Sequence, residues 1–298
     1  MSSLSIIWNV TNRCPWNCAF CVMDAGINCS RAELSMEDKM KAINHLTGID
    51  CKVDLSGGEV MLNRNDHMPL IKALSKKIGK KHLGISCSGA FIGPQEAVFL
   101  AENVSGVEMT MDAVPDRGFT NRPEHYHEIA GQAADHLKRA GVNVGLQTVI
   151  TREHLNNPFI LDELYAWMHE HQIDEWSLIR YFPAGRGINY PELELSDEEN
   201  RILVNYVKNL CECGNVPNLD IHYLMPGSGK DSYCRCVKKS IGILPDGSVT
   251  ACFWGLDIRG NIKDSKFYLG NIRDDTLSNI LKSNNAKYWF DYCGKCPL

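Results

Sequence analysis

Residues 13–21 of the chain read Arg13-Cys14-Pro15-Trp16-Asn17-Cys18-Ala19-Phe20-Cys21. They follow a run at 4–11 that is rich in β-branched and aromatic residues, which is typical of a strand. Three thiols so close together, in the loop after a strand, are able to converge on one iron–sulfur cube. The spacing leaves open a zinc knuckle whose fourth ligand is Cys29 or a histidine.

Strand-like and helix-like segments alternate after this loop. Further strand-like runs lie at 52–56, 82–87, 107–112, 143–150 and 175–181. Helix-like segments begin after Ser35, lie at 66–77, 94–102, 123–140 and 158–171, and begin again at Ser196. Six such units predict an α/β fold, a partial (β/α)6 barrel with a parallel sheet. The active site of such a fold lies at the carboxyl ends of its strands.

The cysteine spacing Cys14-x3-Cys18-x2-Cys21, with Phe20 before the last cysteine, resembles the motif of the radical SAM superfamily. Directly after the second strand-like run, Ser56-Gly57-Gly58-Glu59 resembles the Gly-Gly-Glu motif of the same superfamily. The resemblance covers roughly 5–190. It implies that the three cysteines hold a 4Fe–4S cube, that S-adenosylmethionine (SAM) chelates its fourth iron, and that the glycine-rich segment receives the amino group of SAM.

The same resemblance extends to further polar side chains near the strand ends. The SAM-binding residues that it implies are Phe20, Gly57, Gly58, Glu59, Ser86, Ser88, Gln147 and Arg180. Four of these residues have a plainer alternative. Ser86 and Ser88 would belong to a turn at Gly89, and the amide of Gln147 would merely be buried. Arg180 would hold substrate or pair with a nearby acid. The sequence at 183–187, Pro-Ala-Gly-Arg-Gly, resembles a segment found after the sixth strand in relatives with extra clusters.

A second group of cysteines lies near the end of the chain. Its members are Cys234, Cys236, Cys252, Cys293 and Cys296. The spacing Cys-x10-Gly-x4-Cys, and the final Cys-x2-Cys, resemble the SPASM or twitch extension of radical SAM enzymes. Five cysteines are too few for two more cubes. The resemblance therefore implies one auxiliary 4Fe–4S cluster on Cys234, Cys252, Cys293 and Cys296, with Cys236 as the alternative to Cys234. A structural zinc site is the other possibility.

These patterns predict three parts of the chain. Residues 1–190 form the radical SAM partial barrel, 191–230 a bridging helix, strand and linker, and 231–298 a small twitch-type domain. The run at 227–230, Gly-Ser-Gly-Lys, lacks the rest of a phosphate-loop motif and is predicted to be a flexible linker. The ten histidines show no metal-binding spacing. We expect His125 and His127 to be solvated helix residues.

The resemblance implies an enzyme that cleaves SAM reductively to a 5′-deoxyadenosyl radical and removes a substrate hydrogen. The reaction expected to follow is a two-electron oxidation or a cross-link, with maturation of a peptide natural product favoured. Dehydrogenation of an aminocyclitol or sugar intermediate is the alternative, and a zinc-binding scaffold is the non-enzymatic one. The partners implied are a peptide or small-molecule substrate and an external one-electron reductant such as flavodoxin or ferredoxin. Cys14 follows few residues, so no N-terminal leader-peptide domain is expected.

Composition excludes several classes of function. Lys and Arg number 31 against 36 Asp and Glu, giving a net charge of −5, so no basic surface suggests nucleic-acid binding. No apolar run approaches the ~20 residues that span a bilayer, and no signal peptide is evident, so we expect a cytoplasmic protein without membrane contact. In a reducing compartment, thirteen cysteines indicate metal ligation rather than disulfides.

Overall fold

The computed structural model describes residues 3–118, 121–212, 217–230 and 233–297. Ten strands form one sheet in the order β10-β9-β8-β1-β2-β3-β4-β5-β6-β7. The strands are β1 (Leu4–Asn9), β2 (Cys51–Ser56), β3 (Leu83–Cys87), β4 (Gly106–Thr110), β5 (Val144–Ile150), β6 (Glu175–Arg180), β7 (Asn218–Ile221), β8 (Ser240–Ile243), β9 (Ser248–Thr250) and β10 (Tyr268–Asn271).

The helices are α1 (Met36–His45), α2 (Arg64–Ile78), α3 (Pro94–Asn103), α4 (Tyr126–Arg139), α5 (Arg152–Asn156), α6 (Phe159–Glu170), α7 (Asp197–Cys211), α8 (Leu277–Ile280) and α9 (Asn284–Asp291). In the described residues, every helix is too short or too polar to cross a lipid bilayer.

The parallel part of the sheet confirms the predicted α/β fold. Strands β1 to β6 pair in sequence order, and β7 adds a further parallel strand beside β6. Side chains alternate along each strand, so that Ile6 and Trp8 of β1 are fully buried. Because the strands are parallel, the loops that follow them meet at one edge of the sheet. That edge carries the cysteine loop.

Helix ends follow the local signals in the sequence, with one exception. Ser35 accepts a hydrogen bond from the Asp38 N–H at the start of α1, and Ser196 with Glu199 forms a capping box at α7. Helix α4 begins at Tyr126 rather than at residue 123. The reason is the left-handed backbone of His125, with φ 62°, which a helix cannot contain.

The C-terminal segment extends the same sheet. Strand β8 pairs in parallel with β1, with Ile6 opposite Ile241, and β9 and β10 follow it antiparallel. A hairpin around the Pro245-Asp246-Gly247 turn joins β8 and β9. The sheet thus crosses the proposed domain limits at 190 and 231, which stay predictions, and residue 231 itself lies outside the described residues.

Candidate functional site

A cavity of about 200 Å³, here the first cavity, opens where the parallel strands end. It brings together most of the site residues expected from the sequence. Its walls include Cys14, Cys18, Phe20, Cys21, Gly57, Gly58, Ser86, Ser88, Gln147 and Arg180. Cys14 and Cys18 are buried and Cys21 is half-buried. All three thiols therefore line one space that a further ligand can enter, which fits a cluster with one iron left open.

The two glycines after β2 are required by the cysteine loop itself. A Cβ atom on Gly57 would lie 2.5 Å from the Thr11 carbonyl oxygen, and one on Gly58 would lie 2.2 Å from that of Arg13. The Gly58 N–H donates to Thr11 O at 2.7 Å, and the Glu59 N–H donates to Arg13 O at 2.8 Å. The two loops are therefore joined backbone to backbone, at a distance that only glycine permits.

A second clamp on the cysteine loop comes from the segment after β6. A Cβ on Gly185, whose φ is 56°, would lie 2.2 Å from the Val22 carbonyl oxygen. The next residue, Arg186, donates to the Cys18 carbonyl oxygen through Nε at 3.1 Å and Nη2 at 3.0 Å. Its Nη1 donates to Ala25 O at 2.8 Å and to the Asp24 carboxylate at 3.0 Å. The guanidinium thus fixes the backbone that carries the thiols.

We expect Arg186→Lys to loosen the first cluster without removing it. Lysine keeps the charge but lacks the planar guanidinium, so it cannot donate hydrogen bonds to the Cys18 and Ala25 carbonyl oxygens at the same time. The measurement is the rate at which reconstituted protein loses iron to a chelator, which should rise several-fold. Arg273→Lys is the control, because Arg273 forms an ion pair with Asp274 at the surface. Equal rates in the two variants would show that the clamp is dispensable.

Glu59 is placed behind the first cavity rather than in its wall. Its side chain is fully buried, and burial raises the pKa of its carboxyl group. One oxygen accepts from the Met61 N–H at 3.0 Å; the other accepts from the Ser88 N–H at 2.9 Å and from the Ser88 hydroxyl. Ser88 in turn accepts from the Trp16 indole N–H at 2.8 Å. In this arrangement Glu59 positions Ser88 and the cysteine loop.

We expect Glu59→Ala to weaken SAM binding at least about tenfold while the iron content is retained. In the variant, the buried N–H groups of Met61 and Ser88 lose their hydrogen-bond acceptor, and each unsatisfied group costs ~1–3 kcal/mol. Ser88, which forms part of the cavity wall, is then no longer held in position. Equilibrium dialysis with SAM is the measurement. Asp66→Ala, at an exposed position of α2, is the control. Unchanged SAM affinity would mean that the Gly-Gly-Glu segment serves only as a structural turn and not in SAM binding.

Three other predicted SAM contacts line the first cavity but already have protein partners. The Ser86 hydroxyl donates to the Asp54 carboxylate at 2.7 Å, and Gln147 donates to Glu108. Burial raises the pKa of Asp54 to about 7 and also raises the pKa of Glu108. Arg180 donates to Glu194 at 3.3 Å. Ser86 and Gln147 are thus oriented by acids of β2 and β4, and Arg180 by Glu194 in the segment between β6 and α7.

A buried ion pair beside Cys18 is a feature that no motif in the sequence predicts. Asp112, after β4, is fully buried and is paired with Arg122. The Arg122 guanidinium lies 4.5 Å from the Phe20 ring centroid and 4.8 Å from that of Tyr126. It also forms a hydrogen bond with the Cys18 thiol. No spacing rule links residues 112 and 122, because the loop between them determines their approach.

The expectation of a solvated His127 is wrong. This residue is buried, and its Nε2 accepts the backbone N–H of Asp112 at 3.2 Å. Burial lowers the pKa of His127 to about 4, which keeps the ring neutral. His125 is exposed, as expected. His125 precedes α4 rather than belonging to it, and the first turn of α4 directs His127 toward the Asp112–Arg122 pair.

We expect Arg122→Leu to lower the free energy of unfolding by about 3–5 kcal/mol. The reason is that the carboxylate of Asp112 is left buried without its counter-ion. Urea unfolding of the iron-free protein measures the change. In the double variant Asp112→Asn, Arg122→Leu, no charge is left unpaired, so part of the loss should be recovered. Equal losses in both variants would mean that packing, not charge, decides the effect.

Burial controls the chemistry of the first thiols. It raises the pKa of Cys14 to about 12, and it raises the pKa of Cys18 against the opposing effect of Arg122. Thiols in such surroundings become thiolates when a metal displaces their protons. In the described part of the chain, no three His, Cys, Asp or Glu side chains are gathered to hold a single metal ion. A cube differs, since each thiolate binds a different iron of the cluster.

The C-terminal cysteines form a second site. Cys236 is hydrogen-bonded to Cys234 and to Cys252, which raises the pKa of Cys236 and lowers those of its two partners. Cys296 lies near these three, around the ring of Tyr223. Cys293 is exposed, with its Sγ 3.3 Å from the Asp291 carbonyl oxygen. This arrangement places Cys236, the alternative ligand, among the gathered thiols and Cys293 at their margin.

An aromatic pair connects the two cysteine sites. The rings of Phe182 and Trp254 are stacked with centroids 4.7 Å apart, and both line the first cavity. The backbone N–H of Trp254 is hydrogen-bonded to the Cys252 thiol. Phe182 and Arg180 also line a second cavity of about 350 Å³ that reaches Cys296. A molecule between the two cavities would therefore touch both sites.

Comparison with known proteins agrees with this geometry. Fe-coproporphyrin III synthase of Methanosarcina barkeri is 27% identical over 205 residues, which are 68% of this chain and 50% of that protein. AdoMet-dependent heme synthase of Oleidesulfovibrio alaskensis is 22% identical over 319 residues, covering 98% of this chain and 78% of the relative. The chain thus spans about half the length of the first of these relatives.

The fold is also that of SuiB from Streptococcus suis, whose structure with bound S-adenosylmethionine has a TM-score of 0.78 at 15% identity. The similarity covers 97% of this chain and 68% of SuiB.

Family models account for both cysteine sites. Residues 234–297 match SPASM, described as an iron-sulfur cluster-binding domain, so the zinc scaffold is not retained. Residues 8–157 match the radical SAM superfamily, and they include the end of β1, the cysteine loop and strands β2 to β5. Because that match covers half of its residues, the chain belongs to the radical SAM superfamily, as an enzyme that uses SAM with a 4Fe–4S cluster and carries an auxiliary cluster in its SPASM segment.

Proposed function

We propose that this enzyme removes two electrons from a peptide substrate during maturation of a natural product, by oxidation or by forming a cross-link. When bound, SAM on the first cluster supplies a 5′-deoxyadenosyl radical that abstracts a hydrogen atom, and the auxiliary cluster supplies a one-electron acceptor. The substrate thus loses one hydrogen as an atom and the second as a proton with its electron. An external one-electron reductant such as flavodoxin or ferredoxin starts the cycle.

The residues of this chain have separate tasks in that reaction. Cys14, Cys18 and Cys21 would hold the first cluster, and Cys234, Cys252, Cys293 and Cys296 the auxiliary one, with Cys236 as the alternative to Cys234. Gly57, Gly58, Ser86, Ser88, Gln147 and Phe20 would surround SAM, and Glu59 would hold Ser88 in place. The rings of Phe182 and Trp254 cover the cavity wall and exclude water from it.

The observation that carries the proposal is that the two cavities are neighbours with two lining residues in common. Arg180 and Phe182 line both of them, and the second cavity ends at Cys296. A substrate that loses a hydrogen in the first cavity would therefore lie close to an electron acceptor. For the peptide, the support is SuiB, which has been crystallised bound to its precursor peptide SuiA.

A tetrapyrrole is the second candidate substrate. The observation that favours it is the pair of relatives named Fe-coproporphyrin III synthase and AdoMet-dependent heme synthase. Oxidation of a propionate side chain would use the same loss of two hydrogens. The two candidates therefore differ in substrate and not in the residues that act on it.

Anaerobic turnover with mass spectrometry tests the proposal. Reconstituted enzyme, SAM and dithionite are incubated with short peptides encoded beside the gene, and in a parallel arm with coproporphyrin III. We expect a peptide product two hydrogens lighter, formed together with 5′-deoxyadenosine. If only the porphyrin changes mass, the peptide assignment is wrong. If 5′-deoxyadenosine forms and the peptide product is not two hydrogens lighter, the proposed oxidation or cross-link of the peptide is wrong.

A further inference from the structure

The second cavity is lined by cationic side chains that the reaction above does not use. Arg180, Arg201, Lys230 and Lys295 face it, against one carboxylate, that of Asp197. One of its walls is formed by 226–230, which contain the Gly-Ser-Gly-Lys run expected to be a flexible linker. The Lys208 ammonium donates to the Gly227 carbonyl oxygen at 2.7 Å and ties this wall to α7. The cavity is thus a built part of the fold.

Most of these cations are already neutralised. The Arg180 guanidinium lies 3.3 Å from Glu194 and 3.6 Å from Asp197. Arg201 pairs with Glu198 at 3.1 Å, and Lys230 pairs with Asp220 at 2.5 Å.

Lys295 is different. No carboxylate within 3–118, 121–212, 217–230 or 233–297 forms an ion pair with it. Four carboxylates, those of Glu194, Asp197, Glu198 and Asp220, thus stand against the four cations, but none of them forms an ion pair with the Lys295 ammonium.

A hydrogen-bond donor in the same wall also has no acceptor. The Nε atom of Arg180 is buried and has no hydrogen-bond partner in the described structure. A buried N–H group without an acceptor costs free energy, so such a group indicates a missing partner. One acceptor with a single negative charge would satisfy both Arg180 and Lys295.

We propose that the second cavity binds a carboxylate group of the substrate, through Arg180 and Lys295, while the reacting carbon lies in the first cavity. This inference rests on the proposed function, since it concerns the substrate of that reaction. A carboxylate is preferred to a phosphate because its planar oxygens suit a guanidinium, and because its single negative charge matches the positive charge of the Lys295 ammonium. Its position between the cavities makes Arg180 the residue that sets how far the substrate reaches.

Binding to the SAM-loaded, reconstituted enzyme tests the proposal without turnover. Calorimetry compares hexanoate with hexanamide, which has the same shape but no charge, and with inorganic phosphate. We expect hexanoate to bind at least about tenfold more tightly than hexanamide or phosphate, a difference of ~1.4 kcal/mol. Equal binding of hexanoate and hexanamide would overturn the proposal, and tighter binding of phosphate would overturn the choice of carboxylate.

Variants assign the binding to this cavity. Lys295→Gln and Arg180→Gln should each abolish the preference for hexanoate, whereas Lys287→Gln, at an exposed lysine of α9, should retain it. Because Lys295 adjoins Cys296, the iron content of each variant is measured first, and Arg180→Gln serves if Lys295→Gln loses iron. A preference retained in Arg180→Gln would place the carboxylate elsewhere and overturn the proposal.

Two further pairs of probes distinguish the source of the carboxylate. One pair is a short peptide with a single Glu and its Gln counterpart, and the other is coproporphyrin III and its tetramethyl ester. We expect at least one acidic member to be preferred tenfold, with the preference lost in Arg180→Gln. If neither pair is discriminated, the inference fails while turnover still tests the proposed function. If carboxylates bind but the product is not two hydrogens lighter, only the proposed function fails.

Discussion

Cys18→Ala is expected to abolish formation of 5′-deoxyadenosine from SAM and to lower the iron content by roughly half. The reason is that Cys14, Cys18 and Cys21 line one cavity, where together they would hold the cluster that binds SAM. Each cube contains four irons, so the loss of one of two clusters halves the iron content. Cys18 is the most informative of the three, because Arg186 donates a hydrogen bond to its carbonyl oxygen and Arg122 forms a hydrogen bond with its thiol. Anaerobic assay with dithionite, together with iron analysis, is the measurement.

Cys29→Ala is the matched control for this prediction. Cys29 lies eight residues beyond Cys21, and its Sγ accepts a hydrogen bond from Arg31 at 3.3 Å. It does not belong to the wall of the first cavity. The control should therefore retain both iron and SAM cleavage. Full cleavage by Cys18→Ala would refute the cluster assignment, and loss of iron in Cys29→Ala would add a ligand that the cavity does not show.

The double variant Cys252→Ala, Cys296→Ala is expected to cleave SAM but to release almost no finished product. Both cysteines belong to the second site under either choice of its remaining ligands. Without them the auxiliary acceptor is lost, while the first cavity keeps its three thiols. The ratio of product to 5′-deoxyadenosine should therefore fall from near one to near zero, measured by chromatography and mass spectrometry in the same reaction.

The control for the double variant is Cys211→Ala, at the end of α7, where burial alone raises the pKa of the thiol to about 11. It should keep both the iron content and the product ratio. Normal product from a double variant that has lost four irons would show that the acceptor lies elsewhere. Loss of SAM cleavage together with product would mean that the second site supports the fold of the first cavity.

The sequence was sufficient for the parts of this structure that local chemistry determines. Alternation of strand and helix patterns predicts β1 to β6, and capping residues predict where α1 and α7 begin. The cysteine spacing and the Gly-Gly-Glu segment predict which strand ends form the first cavity. These features are local in sequence, and the parallel topology then brings them together at one edge.

The remaining features depend on contacts between distant residues. Arg186 reaches the Cys18 carbonyl from 168 positions away, and the approach of Arg122 to Asp112 depends on the loop between them. Glu59 is turned inward by Ser88, although its motif suggested a ligand contact. The pairing of β8 with β1 joins residues more than two hundred positions apart. No pattern of spacing records such contacts, because they depend on how loops pack.

That last pairing also affects how the protein is made. Strand β8 is synthesised about 230 residues after β1, a delay of roughly 10 to 50 s at the usual speed of translation. During this interval one edge of β1, with its unpaired N–H and C=O groups, is open to other chains. Nascent copies on one message are the nearest such chains, so slow or interrupted translation favours aggregation. Expression yield should therefore improve when a chaperone that binds exposed strands is supplied, or when the 3′ part of the message is translated faster.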